Sequence, residues 1–127
     1  QGWIFWDKCV AEGCTFSDGE LAWTSFNQAL KKAVIPWSGF IGMEGEKFHP
    51  TTKPIKLYEW ILSRYAEPNQ KIIDTHLGSG SIAIAIEKAN RLDKMNLQFV
   101  GIELDKDYFT DAVNRFDKFC SQQTLDF

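Results

Sequence analysis

Asp74 closes the apolar run "KIID", and four residues later Gly78-Ser79-Gly80-Ser81-Ile82-Ala83 satisfies the pattern G-x-G-x-x-A. Such a loop lets a ligand approach bare backbone at the start of a helix. Glu103, twenty residues after Ala83, stands where an acid at the tip of the next strand accepts both hydroxyls of a ribose. A nucleoside is the expected ligand. Phosphate, the usual guest of such a loop, would meet Asp74 in the same crevice, and no lysine or arginine occurs between Lys71 and Lys88 to offset that charge. At an effective dielectric near 20, two like charges about 5 Å apart cost roughly 3 kcal/mol, and an opposite pair gains as much before desolvation. A cationic ligand is therefore expected. S-adenosylmethionine has the required parts: adenosine and its ribose for Glu103, an ammonium and a sulfonium for Asp74, and no phosphate.

These residues need a scaffold of alternating strands and helices. "KIID" and "LQFVGIEL" read as strands, Ser79 to Ala89 as a helix with Ile82, Ala85, Ile86 and Ala89 on one face, and Asp105 as the cap of a last helix bearing Tyr108, Ala112, Phe116 and Phe119. Strand, helix, strand, helix implies parallel pairing and a right-handed crossover. Upstream, Thr51 or Thr52 is placed to cap a helix with Pro54 in its first turn and Ile55, Tyr58, Ile61, Leu62 and Tyr65 at helical spacing. Two aromatic strands are expected near residues 3–7 and 20–26, sharing one sheet. Between them and the helix, residues 27–53 lose periodicity and carry glycines at 39, 42 and 45, so they read as a long basic loop.

At 127 residues, with 44% apolar and 14% aromatic side chains, the chain supplies one core. No apolar run suits a membrane span or a secretory leader, so a cytoplasmic location is expected. Cys9, Cys14 and Cys120 are an odd number without metal-ligand spacing, and no metal site is expected. Net charge is -3, but residues 27–56 carry five lysines against Glu44 and Glu46, a local +3. Lys31, Lys32, Lys47 and Trp37 in this stretch are the candidate DNA contacts. Trp3, Trp6 and Trp23 on strands and Trp60 on a helix are expected in the core.

"HPTTKP" (His49 to Pro54), "DTHLGSGS" (Asp74 to Ser81) and "GIELDKDYF" (Gly101 to Phe109) resemble, in that order, three motifs of the DNA amino-methyltransferases, which modify adenine or cytosine. "GWIFWDKC" and "FSDGELAWTSF" resemble the phage-type adenine-specific branch, so the similarity covers almost the whole chain. It implies an α/β, Rossmann-like methyltransferase fold with a mostly parallel sheet flanked by helices: a single domain over 1–127, with 1–26 from the catalytic half, 27–53 the loop, 54–121 the cofactor half and 122–127 a tail. Its implied cofactor is S-adenosylmethionine. Asp74, Gly78 and Gly80 would line the methionine side, Glu103 would hold the ribose, Thr75, His76, Ser79 and Leu104 would also meet the cofactor, and Thr51, Thr52 and Lys53 would meet the methionine carboxylate. His76 stands where many relatives have phenylalanine, and packing beside the cofactor is the role expected for it.

The family's catalytic tetrad, Asp or Asn followed by Pro-Pro and an aromatic, is absent from these 127 residues. In relatives it receives the amino group of a base flipped out of the duplex. With Gln1 in place of Met and a strand beginning almost at once, the chain is expected to be part of a longer polypeptide that binds double-stranded DNA. The methylated base is expected to be adenine, with cytosine N-4 as the alternative. Two other classes stay open: a nicotinamide or flavin oxidoreductase, which G-x-G-x-x-A favours and Asp74 disfavours, and a non-catalytic cofactor-binding module. "QQTLDF" is similar to peptides that dock on the bacterial sliding clamp through Gln122, Leu125 and Phe127, and a second copy of the chain is a further candidate partner.

Overall fold

Alternation along Gly2–Asp7, strand β1, decides the first sheet: Ile4 and Trp6 point one way and are buried, while Trp3 and Phe5 point the other. The computed structural model of the chain describes residues 1–37 and 52–125, and divides into two compact units, Gln1–Glu44 and Gly45–Phe127. In the first unit β1 is the central strand. β2 (Gly19–Thr24) pairs with it antiparallel, and β3 (Lys31–Val34) pairs with it parallel on the other edge.

β3 corrects the reading of residues 27–53 as loop throughout. "KKAV" is too short and too charged to announce itself, yet Ala33 sits opposite Trp6 with no exposed surface. The Trp6 indole N–H donates to the Ile35 carbonyl at 2.8 Å, so a buried aromatic also satisfies its polar atom. Lys32 Nζ reaches Asp7 Oδ2 at 3.0 Å across the other face. The tryptophans divide as well. Trp6 is core, whereas Trp3 and Trp23 are cross-strand neighbours that remain 47% and 55% exposed, contrary to the core placement expected for them.

The second unit carries α1 (Ile55–Tyr65), β4 (Lys71–Asp74), α2 (Ser81–Leu92), β5 (Gln98–Gly101) and α3 (Lys106–Leu125). β4 and β5 pair in parallel with Asp74 opposite Gly101, as the alternation of elements requires. Leu62 of α1, Ala85 and Ile86 of α2, and Leu97 before β5 form the core, with Ile55, Tyr58, Ile72, Ile82, Ala89, Met95 and Phe99 packed against it. One face of the sheet is thus covered by helices, and Ile73 and Val100 on the other are exposed. Asn90 fixes the crossover from α2 to β5: its side-chain N–H donates to the Leu97 carbonyl at 3.0 Å, and its Oδ1 accepts from the Leu97 N–H at 2.7 Å. The two expected helix caps turn out differently. Asp105 does cap α3, its Oδ1 accepting from Tyr108 N–H at 2.9 Å. At α1, by contrast, Pro54 occupies the N-cap with no side-chain hydrogen bond, so Thr52 is not the cap; Thr51 lies outside the described residues. The expected tail from residue 122 is helical through Leu125.

Candidate functional site

The loop from Asp74 to Ser81 lies at the carboxyl ends of two adjacent parallel strands, where open α/β sheets bind ligands. Pairing continues just past β4 and β5: Ile102 N–H donates to the Asp74 carbonyl at 2.8 Å and Leu77 N–H to the Ile102 carbonyl at 2.9 Å. Those bonds carry Glu103 alongside the loop. Its Oε1 accepts from Gly78 N–H at 2.9 Å and its Oε2 from Asp105 N–H at 3.0 Å. A residue 25 positions away in sequence therefore braces the first glycine.

Asp74 turns along the loop, its Oδ1 accepting from His76 N–H at 2.9 Å, the hydrogen bond by which an aspartate folds the backbone after it. Thr75 Oγ1 lies 2.9 Å from His76 Nδ1, and both side chains are exposed. Gly80 N–H closes the turn on the Leu77 carbonyl at 3.1 Å. Gly78 and Gly80 have φ of 57° and 80°, left-handed values that explain glycine at these two positions. They differ in surroundings. A Cβ on Gly78 would meet only the His76 carbonyl at 3.9 Å, leaving backbone open to a ligand, whereas one on Gly80 would lie 3.2 Å from Ala112 Cβ.

Ser79 and Ser81 are the buried polar residues of the loop, and what they touch was not legible from its neighbours in sequence. Arg115 on α3 directs Nη1 at the Ser79 carbonyl (3.1 Å), Ser79 Oγ (3.4 Å) and Ser81 Oγ (2.9 Å). The loop therefore has a cation beside it in space, although none lies between Lys71 and Lys88 in sequence. The one signal available was the spacing of Ala112 and Arg115, which places both on one face of α3.

Of the other expected site residues, Leu104 follows Glu103 and is 99% exposed, a large apolar side chain beside the site with no cover. Thr52 and Lys53 are half-buried and lead into α1 in the same unit. Lys31 and Lys32 lie on β3 in the other unit, on opposite faces, and Lys32 is paired with Asp7. Trp37 is half-buried, 5.8 Å edge-on from Phe16, with Lys8 Nζ 5.1 Å from its ring centroid. Gln122 and Leu125 belong to α3. Thr51, Lys47 and Phe127 lie outside the described residues. Among the described residues there is no cluster of three His, Cys, Asp or Glu suited to a metal ion, and no helix long and apolar enough to cross a membrane.

The carboxylates of Asp74 and Glu103 thus stand at the ends of neighbouring parallel strands, each accepting from a backbone N–H of the loops there, with open backbone at Gly78 before α2. The structure superposes on the M1.HpyAVI–SAM complex with a TM-score of 0.61, over 91% of this chain and 60% of that one at 23% identity, a likeness of fold. In sequence it is 31% identical over 85 residues to the type II methyltransferase M2.LlaDCHI of Lactococcus lactis subsp. cremoris, covering 65% of this chain and 29% of that protein. It is 30% identical over 101 residues to the type II methyltransferase M2.DpnII of Streptococcus pneumoniae, covering 80% of this chain and 32% of that protein. The chain thus spans about a third of the length of these relatives. The profile of the N6/N4 methyltransferases, described as DNA methylase, matches residues 5–114, and the chain belongs to that family.

Proposed function

We propose that this chain is the cofactor-binding part of an S-adenosylmethionine-dependent DNA amino-methyltransferase, with adenine as the base and the bacterial or phage-infected cytoplasm as its setting. The observation that carries the reading is the Glu103 carboxylate fastened to Gly78 N–H and Asp105 N–H at the end of β5. A carboxylate oxygen carries two lone pairs, so accepting one of these bonds still allows another from a ribose hydroxyl. Asp74, held along the same loop by His76 N–H, offers its carboxylate to a cationic group. These acceptors suit the ribose hydroxyls and the cationic end of the cofactor, and the left-handed Gly78 leaves the backbone open for its approach. Bound there, S-adenosylmethionine supplies an activated methyl group. What the protein's residues do is orient it: Glu103 at the ribose, Asp74 at the cationic end, and Leu104 against the base of the nucleoside.

The choice of adenine follows from the likeness of "GWIFWDKC" and "FSDGELAWTSF" to the adenine-specific branch, since the other three motifs are shared with enzymes that modify cytosine. Since no Asp/Asn-Pro-Pro-aromatic tetrad occurs in the sequence, the chain is expected to bind cofactor without transferring the methyl group by itself. Lys31, Lys32, Lys47 and Trp37 are proposed to contact the DNA backbone.

A nicotinamide cofactor is the second reading, and Arg115 is the observation that favours it, because a guanidinium beside Ser79 and Ser81 supplies positive charge that a diphosphate would use. Its bonds to two buried serines and the two carboxylates at the strand tips favour the cation instead. Calorimetric titration of the chain with S-adenosylmethionine and with NAD decides between them. Heat from S-adenosylmethionine alone is the expected result, and binding of NAD alone overturns the proposal.

A further inference from the structure

We propose that Arg115 is a positioning residue of the cofactor site: from α3 it holds the glycine loop in the shape that admits the ligand. The proposal rests on the cofactor reading above. Ser79 and Ser81 are 6% and 2% exposed, so their polar atoms depend on protein partners, and Arg115 Nη1 meets three of them. The placement runs against the simplest electrostatics. Ser81 opens α2, and a cation is disfavoured at a helix N-terminus, where the backbone N–H groups already carry positive charge. Arg115 is held there by acceptors that converge on one nitrogen, which ties loop and α3 together at a single point.

A second contact three residues earlier on α3 has the same target. Ala112 is buried and packs so close to Gly80 that a Cβ there would come within 3.2 Å of it. Ala112 therefore fixes how near α3 lies, and Arg115 fixes the direction of the Ser79 carbonyl and the Ser81 hydroxyl. Gly78 N–H, one residue before Ser79, is the group that Glu103 grips from the other side. The first glycine is held between an anion on the strand side and, through Ser79, a cation on the helix side. Loosening the second grip leaves the peptide plane between Ser79 and Gly80 held only by the Gly80 N–H bond to the Leu77 carbonyl, so the plane is less firmly fixed and the backbone surface offered to the ligand changes with it.

Calorimetry with S-adenosylmethionine on the whole chain, well below the melting temperature of each variant, tests this. Arg115→Ala is expected to weaken binding about tenfold, as when one to two charge-assisted hydrogen bonds are removed. Arg115→Lys, which reaches fewer acceptors with a point charge, should recover about half of that loss on a logarithmic scale. Ser81→Ala, which removes the receiving hydroxyl and keeps the guanidinium, should weaken binding in the same direction and serves where Arg115→Ala does not fold. Without ligand, amide exchange at Gly80 and Ala83, whose N–H groups bond within the loop, should accelerate in Arg115→Ala while the β4 and β5 amides stay protected. A residue that merely stabilises the fold would lower the melting temperature and leave the dissociation constant unchanged; that result, or unaltered exchange in the loop, overturns the proposal. If wild-type chain fails to bind S-adenosylmethionine, the functional reading falls, and Arg115 is then judged by loop exchange alone.

Discussion

Glu103→Ala perturbs two things that the geometry allows to be separated. The carboxylate accepts from Gly78 N–H, partly buried at 2.9 Å, and from Asp105 N–H, exposed at 3.0 Å. Losing the acceptor of a partly buried N–H costs about 1 kcal/mol of stability, and the exposed one costs less because water replaces it. For a domain of this size that lowers the melting temperature by about 3 to 6 °C. The effect on the ligand is larger. Removing a charged acceptor from ribose hydroxyls is expected to cost about 2 kcal/mol, or near thirtyfold in the dissociation constant. Glu103→Gln tells the two apart: its carbonyl oxygen still braces Gly78 N–H, but its NH2 faces Asp105 N–H, donor against donor, and the charge is gone. We expect Gln to recover most of the melting temperature and little of the affinity. The assay is calorimetric titration with S-adenosylmethionine, well below the melting temperature, beside a thermal melt of each variant. A dissociation constant for Glu103→Ala indistinguishable from wild type would show that Glu103 is a loop brace and not a ligand of the nucleoside.

Gly80→Ala forces a side chain into a left-handed φ of 80° and against Ala112 at 3.2 Å. It should cost about 1 to 3 kcal/mol in denaturant unfolding; an unchanged midpoint would mean that the turn adapts freely. At Asp7 the Cys9 N–H, then Lys32, hold the carboxyl below its ordinary value, so the stabilisation is present above that value and fades as pH falls through the lowered one. Asp7→Asn should therefore be less stable than wild type at neutral pH and should match it in strong acid; a constant difference at every pH would refute this. If Lys31 contacts DNA as proposed, Lys31→Glu should weaken binding to duplex DNA and lower the slope of log affinity against log salt by about 0.9 for each phosphate no longer neutralised; an unaltered slope removes Lys31 from the interface. If the tail docks on a bacterial sliding clamp, Phe127→Ala should abolish retention on the immobilised clamp, and equal retention of both forms rejects the tail as a docking peptide.

Where hydrophobic periodicity runs long, it located the elements to within a turn. α2 was expected from Ser79 and begins at Ser81; β4 is "KIID" as read; Asp105 caps α3 because an acid before an amphipathic run has few other uses. β3, as short as β4, escaped because two of its four residues are lysines and no apolar run marks it. Its evidence is tertiary: Ala33 against Trp6, and Lys32 beside Asp7. Trp3 and Trp23 were misplaced for a related reason. A strand displays two faces, and composition alone does not say that only the Ile4–Trp6 face is covered. Pro54 likewise took the N-cap of α1 from the threonines before it.

The geometry of the candidate site was legible to the extent that its contacts are local or follow a strand tip. Asp74, Gly78, Gly80 and Glu103 are fixed by a loop and by the strand after it, and the parallel register of β4 on β5 brings Glu103 to Gly78. Charge was less legible. Counting cations from Lys71 to Lys88 treats sequence distance as spatial distance, and Arg115, 36 residues beyond Ser79, shows where that equivalence ends. The ligand's sign then depends on how the cation is employed rather than on whether one is present. The guanidinium is engaged by two buried serines, while the carboxylates of Asp74 and Glu103 can each accept from a ligand as well as from the backbone N–H groups they already hold. Removing one of the acceptors of Arg115 by Ser81→Ala, which leaves its bonds to Ser79, should on this account leave NAD unbound; appearance of NAD binding in that variant would show that the engagement of Arg115 by Ser81 is what keeps a diphosphate out.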